Sequence, residues 1–305
     1  MSARKIFCLI LFLSLTLFLG SCKSEKTESV KTESGETASE TAETVKTHLG
    51  GCILAKPAAE APSDLYQESD IVPTDEYKPF TKKLSVYGIT LIGRDDISDN
   101  FMRKVAKTIK EMFPQGGDID SELQKEVLRN IYRYRTVIPL FLGEDHEFAP
   151  SDEAAWVITK RQNSICDIIM EGVPGQVNEV VEHILHHVTD VGLHYTFPDE
   201  WGISKTSKLY QAMQEAIDKK YYDVRQYGEE DNEVRNRVLL QEYAYWIIYC
   251  SWDLRETYGP KEAEWSIMNS SELKAKLPQS YQLFKSTIPK VMVSPSRSTL
   301  EKFIK

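Results

Sequence analysis

Glu179-Val180-Val181-Glu182-His183-Ile184-Leu185-His186-His187-Val188-Thr189-Asp190-Val191-Gly192-Leu193-His194 carries four of the six histidines of the chain. Wound at about 100° per residue, the stretch sorts into two faces. Val177, Val181, Ile184, Leu185 and Val188 form one apolar stripe, and Glu179, Glu182, His183, His186 and Asp190 gather opposite, with His187 at the margin. The stripe calls for a helix laid on a core. Its polar side is either a solvated face or a set of metal ligands, because imidazole nitrogens and carboxylate oxygens one turn apart are the means by which a helix chelates zinc. Two registers offer such a pair, Glu182 with His186 and His183 with His187, each four residues apart.

Outward from this helix the periodicity changes. After Pro174-Gly175 the sequence is helical almost to its end, over about Asn178–Val191, Ser207–Lys219, Val234–Tyr249 and Glu272–Phe284, the last broken at Pro278. Before it, Leu84–Ile92, Val137–Leu142, Ala154–Thr159 and Ile165–Met170 read as short strands. Between the first two lie a helix with Phe101, Val105, Ile109 and Met112 on one face and a second helix to about Tyr134, for which Ser121 and Gln124 suggest a capping box. Strands first and helices second make an α+β domain the expected class.

The amino-terminal residues follow another logic. Arg4-Lys5, an apolar run from Ile6 to Leu19 and Gly20-Ser21-Cys22 have the order of a secretory leader. The run is shorter than the roughly 20 residues of a membrane span. Leu19-Gly20-Ser21-Cys22 resembles the lipobox of bacterial lipoproteins, which implies cleavage before Cys22, acylation there with chains such as palmitate, and residence on a membrane of the bacterial cell envelope, with the outer membrane favoured. Lys26-Thr27-Glu28-Ser29 recurs at Lys31-Thr32-Glu33-Ser34 in a segment too polar to fold. The expected organisation is therefore a signal peptide over 1–21, a lipidated, disordered Ser/Thr/Glu/Lys-rich tether over 22–80, and one globular domain over 81–305.

Composition narrows the function. A formal charge of −9 without an aromatic-laced basic patch speaks against nucleic acid as a partner. Past Cys22, three cysteines remain, Cys52, Cys166 and Cys250, enough for one disulfide at most. Cys166 and Cys250 lie in apolar surroundings and read as small buried hydrophobes. Gly116-Gly117-Asp118-Ile119-Asp120 lacks the pattern of a calcium loop and reads as a helix-capping loop.

The helix departs from the His-Glu-x-x-His motif of zinc peptidases: in one register Glu182 stands in for the first ligand, in the other Ile184 replaces the catalytic glutamate. A third ligand is offered by Glu242, set among Tyr243, Tyr245 and Trp246, where a carboxylate is costly unless paired or metal-bound. His194 competes for that role. The run Glu182–Thr189, with Gly192, Phe197-Pro198, Trp201-Gly202 and later Glu242-Tyr243 and Trp246, is similar to a group of secreted or anchored bacterial proteins carrying a Glu-Glu-x-x-His-x-x-Thr helix, distantly related to zincin-like metallopeptidases. The resemblance implies a zincin-like fold over about Leu84–Ser286. On it rests the expectation of zinc held by Glu182, His186 and Glu242, with His183 or Glu179 as base in hydrolysis of a peptide, protein or other amide. The alternative is a non-catalytic envelope module that binds through Tyr243, Tyr245, Trp246, Tyr249 and Trp252. The two part on one distance: a three-ligand centre needs the Glu242 and His186 side-chain tips well within about 8 Å, since zinc bonds are only about 2 Å long.

Overall fold

A computed structural model describes residues 46–144, 147–228 and 231–304. Cys22 and the expected leader lie outside the described residues. The folded unit begins at Lys46. The stretch 46–80, expected as tether, contributes Ile53, Leu65, Tyr77 and Phe80 to buried clusters, so the tether reading is corrected there.

A two-stranded hairpin comes first, β1 (His48–Leu49) with β2 (Ile53–Leu54). The main sheet has five strands in sequence order: β3 (Val72–Pro73), β4 (Lys82–Val86), β5 (Ile89–Gly93), β6 (Val137–Leu142) and β7 (Ile169–Glu171). The segment read as one strand from Leu84 to Ile92 is a hairpin, because Tyr87 and Gly88 both take positive φ and close a two-residue turn. β6 and β7 add in parallel. Parallel neighbours need crossovers, which α1 (Asp99–Met112), α2 (Ser121–Arg133) and α3 (Pro150–Gln162) supply. Asp120, not Ser121, caps α2, accepting from the backbone N–H groups of Glu122 and Leu123.

Two strand expectations need correction. Ala154–Thr159 is the interior of α3, which opens on Pro150 and carries Asp152 and Glu153 in its first turn and Lys160 and Arg161 in its last, a charge order that suits the helix dipole. Of Ile165–Met170, only the end joins β7. The remainder turns off the sheet after the bridge between Thr136 and Ser164, and that departure carries Cys166 and Asp167 toward the helical half.

The second half stacks helices: α4 (Gln176–His187), α5 (His194–Thr196), α6 (Pro198–Trp201), α7 (Lys208–Asp218), α8 (Asn232–Ser251), α9 (Arg255–Tyr258), α10 (Ser270–Lys276), α11 (Pro278–Val291) and α12 (Arg297–Leu300). The expected mixed α+β class is the observed one. Residues 176–196 form a single run, in which a π-helical turn at Val188–Leu193 joins α4 to α5, a local widening common at functional sites. Tyr243, Tyr245, Trp246 and Tyr249 are buried between helices, which removes them as an exposed binding surface.

Gly192 sits in the π-turn against α2, where an added Cβ would come within 2.9 Å of Val127 and 3.2 Å of Ile131. Gly192→Val is expected to lower stability by about 1–3 kcal/mol, the usual cost of overpacking. Urea denaturation checks this, and an unchanged midpoint would mean that α2 gives way freely.

Candidate metal centre

The polar face of α4 is not solvated. Glu179 is 2%, His183 9%, His186 0% and Asp190 3% exposed, and Glu182 is half-buried, because α4 packs against β7, α1, α8 and the 165–168 loop. Ionisable groups in such a place persist only when paired, and the pairing can be followed atom by atom.

His186 is its centre. Its Nδ1–H donates to Asp167 Oδ2 at 2.8 Å, and the Gln241 amide lies 3.0 Å from the same nitrogen and 3.4 Å from the same carboxylate. Nε2 is fully buried and makes no hydrogen bond; it faces Glu242 Oε2 at 3.6 Å. Ligand atoms of Glu182, His186 and Glu242 all lie within 4.8 Å of one another. The separation that distinguished the two readings is thus far below 8 Å, and buried His, Asp and Glu groups here could hold a metal ion. In a tetrahedral centre with bonds of about 2.0 Å, donors stand roughly 3.3 Å apart, a spacing the His186–Glu242 pair already approaches.

The neighbours have other tasks. His183 Nδ1 lies 3.1 Å from Glu179 Oε1, and Nε2 lies 3.7 Å from Asp167 Oδ2. Burial opposes its charge, but these carboxylates outweigh burial and raise His183 to about 9. Asp167, conversely, is held well below the usual carboxylate range by His183 and His186 in spite of burial. Glu179 also accepts from the Met170 backbone N–H at 2.9 Å. A cationic imidazole and a buried, doubly engaged carboxylate are poor acceptors for a proton from water, so the expected base role of His183 or Glu179 has no support in this geometry.

His187 and His194 are not ligands. His187 Nδ1–H donates to the His183 carbonyl at 2.8 Å and Nε2 accepts from the Cys166 backbone N–H at 3.2 Å, so both nitrogens are engaged and burial lowers its pKa to about 4. That removes the His183–His187 register. His194 accepts from the Ile203 N–H at 3.3 Å and is likewise lowered to about 4 by burial. Asp190 pairs with Arg237 at 2.9 Å inside the protein.

Sequence reasoning missed Asp167, Gln241 and Glu264. A lone carboxylate within the apolar run Ile165–Met170 was the available signal for Asp167. Glu264 accepts from Trp246 Nε1 at 2.8 Å and from the Tyr227 hydroxyl at 3.3 Å, and burial and the charge of Glu242 push it up to about 8. Among the described residues one disulfide forms, Cys52–Cys166, which corrects the reading of Cys166 as a buried hydrophobe; Cys250 is free and buried.

No family model, curated protein or solved structure matches the chain. Among the described residues, no helix is long and apolar enough to cross a membrane.

His187 and His194 have folded pKa values below the unfolded 6.5, so between pH 6.5 and about 4 the unfolded chain binds the extra protons. Stability from these groups is complete above pH 6.5 and is lost as the pH falls toward 4. Urea unfolding of wild type and His194→Gln at pH 7 and pH 5 checks this: the variant should lose less stability on acidification, the difference being on the order of 1 kcal/mol, and equal losses would contradict it.

Proposed function

We propose that the chain is a lipid-anchored protein of the bacterial cell envelope whose domain binds zinc through Glu182, His186 and Glu242 in a zincin-like arrangement and hydrolyses a peptide or other amide. One observation carries the metal: the buried Nε2 of His186 makes no hydrogen bond and lies among the carboxylates of Glu182 and Glu242, while Nδ1 is engaged by a third. That is the carboxylate–histidine–metal order in which the outer carboxylate fixes tautomer and ring plane. Two ligands from one helix and a carboxylate from a second also agree with the zincin-like resemblance.

Bound zinc would lower the pKa of a water and polarise a substrate carbonyl. The chain's own part is then to orient that water and move its proton. Glu264 suits a different step, donating a proton to the leaving amine, because it holds a proton near neutral pH and is steadied by Trp246 and Tyr227. The disulfide supports a home outside the cytoplasm, where such bonds persist, and the lipobox at Cys22 supplies the anchor.

A structural metal is the second reading, favoured by the low exposure of the site: the Glu242 side chain is 15% and that of His186 1% exposed.

Mass spectrometry of the purified chain is expected to find close to one zinc per molecule in wild type and little in His186→Ala. Metal-free wild type that is folded would refute the centre. Zinc without turnover of a peptide library would leave the structural reading. For the anchor, labelling with a palmitate analogue should mark wild type and not Cys22→Ser.

A further inference from the structure

The loop that delivers Asp167 is tied down one residue earlier. Cys166 is bonded to Cys52, across 114 residues of sequence, in the turn of the β1–β2 hairpin. Both ends of this link reach the centre. On the Cys166 side, its backbone N–H donates to His187 Nε2, and Asp167 grips His186 Nδ1 and faces His183. On the Cys52 side, the Gly50 carbonyl accepts from Arg237 Nε at 2.9 Å, and Arg237 in turn holds Gln241, which contacts Asp167 and His186. Apart from the bridge, three hydrogen bonds fasten the hairpin to the segment leading into this loop: Ile165 N–H to the Cys52 carbonyl at 3.3 Å, Leu54 N–H to Ser164 Oγ at 3.1 Å and His48 Nε2 to the Asn163 carbonyl at 3.3 Å. Asp167 itself is not otherwise fixed by the sheet, since β7 begins only at Ile169.

Resting on the zinc reading above, we propose that Asp167 is the positioning residue of the metal centre and that the Cys52–Cys166 disulfide holds it in place, so that reducing the bridge weakens metal binding. Asp167 would touch no metal. With metal on Nε2, it keeps the remaining proton of His186 on Nδ1 and the ring turned so that Nε2 faces Glu182 and Glu242. With the bridge open, the 165–168 loop is free to draw the carboxylate off Nδ1, and the imidazole loses both its tautomer and its aim. Loss of such an outer partner typically costs 10–100-fold in metal affinity. Both cysteines are half-buried, within reach of a reductant. A dithiol would open the bridge by exchange: its thiolate attacks one sulfur and expels the other as a thiolate that takes up a proton, and its second thiol then releases the first as a thiol, leaving the dithiol as a cyclic disulfide.

The test measures zinc affinity of the full chain by competition with a chromophoric chelator, alongside the visible spectrum of the cobalt-loaded protein. A water-soluble phosphine serves as reductant because dithiols bind zinc. It departs as the phosphine oxide, its oxygen drawn from water, and leaves two thiols. Oxidised wild type should bind tightly. Asp167→Ala should bind 10–100-fold more weakly with an altered cobalt spectrum, and Asp167→Asn, whose amide oxygen still accepts from Nδ1–H, should recover part of the loss. Phosphine-reduced wild type and the Cys52→Ser/Cys166→Ser variant should fall by a similar factor, and adding Asp167→Ala to the latter should cost little more. Circular dichroism on each sample establishes folding; should the serine variant unfold, reduced wild type and the Asp167 pair still decide. Equal affinity in oxidised and reduced protein, or an Asp167→Ala variant that binds as wild type, would overturn this inference and leave the zinc reading standing. No zinc uptake by oxidised wild type would overturn both.

Discussion

Everything around the centre depends on the way an imidazole is buried between two carboxylates. His186 lies at the contact of α4 with α8, Asp167 on one nitrogen and Glu242 facing the other. Taking such groups out of water costs several kcal/mol per ion unless each finds a counter-charge and enough hydrogen bonds. Hence the partners radiate outward: Gln241 beside Asp167, Arg237 on Gln241 and Asp190, His183 between Glu179 and Asp167. The apolar stripe of α4 settles which way the helix faces, and the polar seam settles how closely α8 and the 165–168 loop approach it.

The stripe was legible in the sequence because periodicity reports one buried face directly. Val177, Val181, Ile184, Leu185 and Val188 are all in the core. Periodicity cannot reveal that the opposite face is buried too, since a polar face looks the same whether water or a second charged layer covers it. Glu242 was legible for another reason: a carboxylate among Tyr243, Tyr245 and Trp246 is costly without a partner. Asp167 was not, because its role depends on the chain leaving the sheet after Ser164 and returning only at Ile169, a long-range event that periodicity does not report. Three cysteines allow three pairings, and spacing does not choose among them. The misreading of α3 has a simpler cause. Only Trp156 and Thr159 of that helix are buried, so its amphipathy is faint, and alanine, tryptophan, valine, isoleucine and threonine in a row mimic a strand.

Charge within the seam argues for what the geometry suggests. His183 is cationic between Asp167 and Glu179, and Arg237 answers Asp190. Glu242 faces the other imidazole, and His186 is raised well above its ordinary value by Glu242 and Asp167 in spite of burial. Glu264 is pushed up to about 8 by burial and by the charge of Glu242 nearby. A divalent cation on Nε2 would replace a single proton with two charges in the same place, releasing that proton as it binds. On the zinc reading the seam would exchange a proton for a metal, with the Asp167 carboxylate on Nδ1 holding the ring for either.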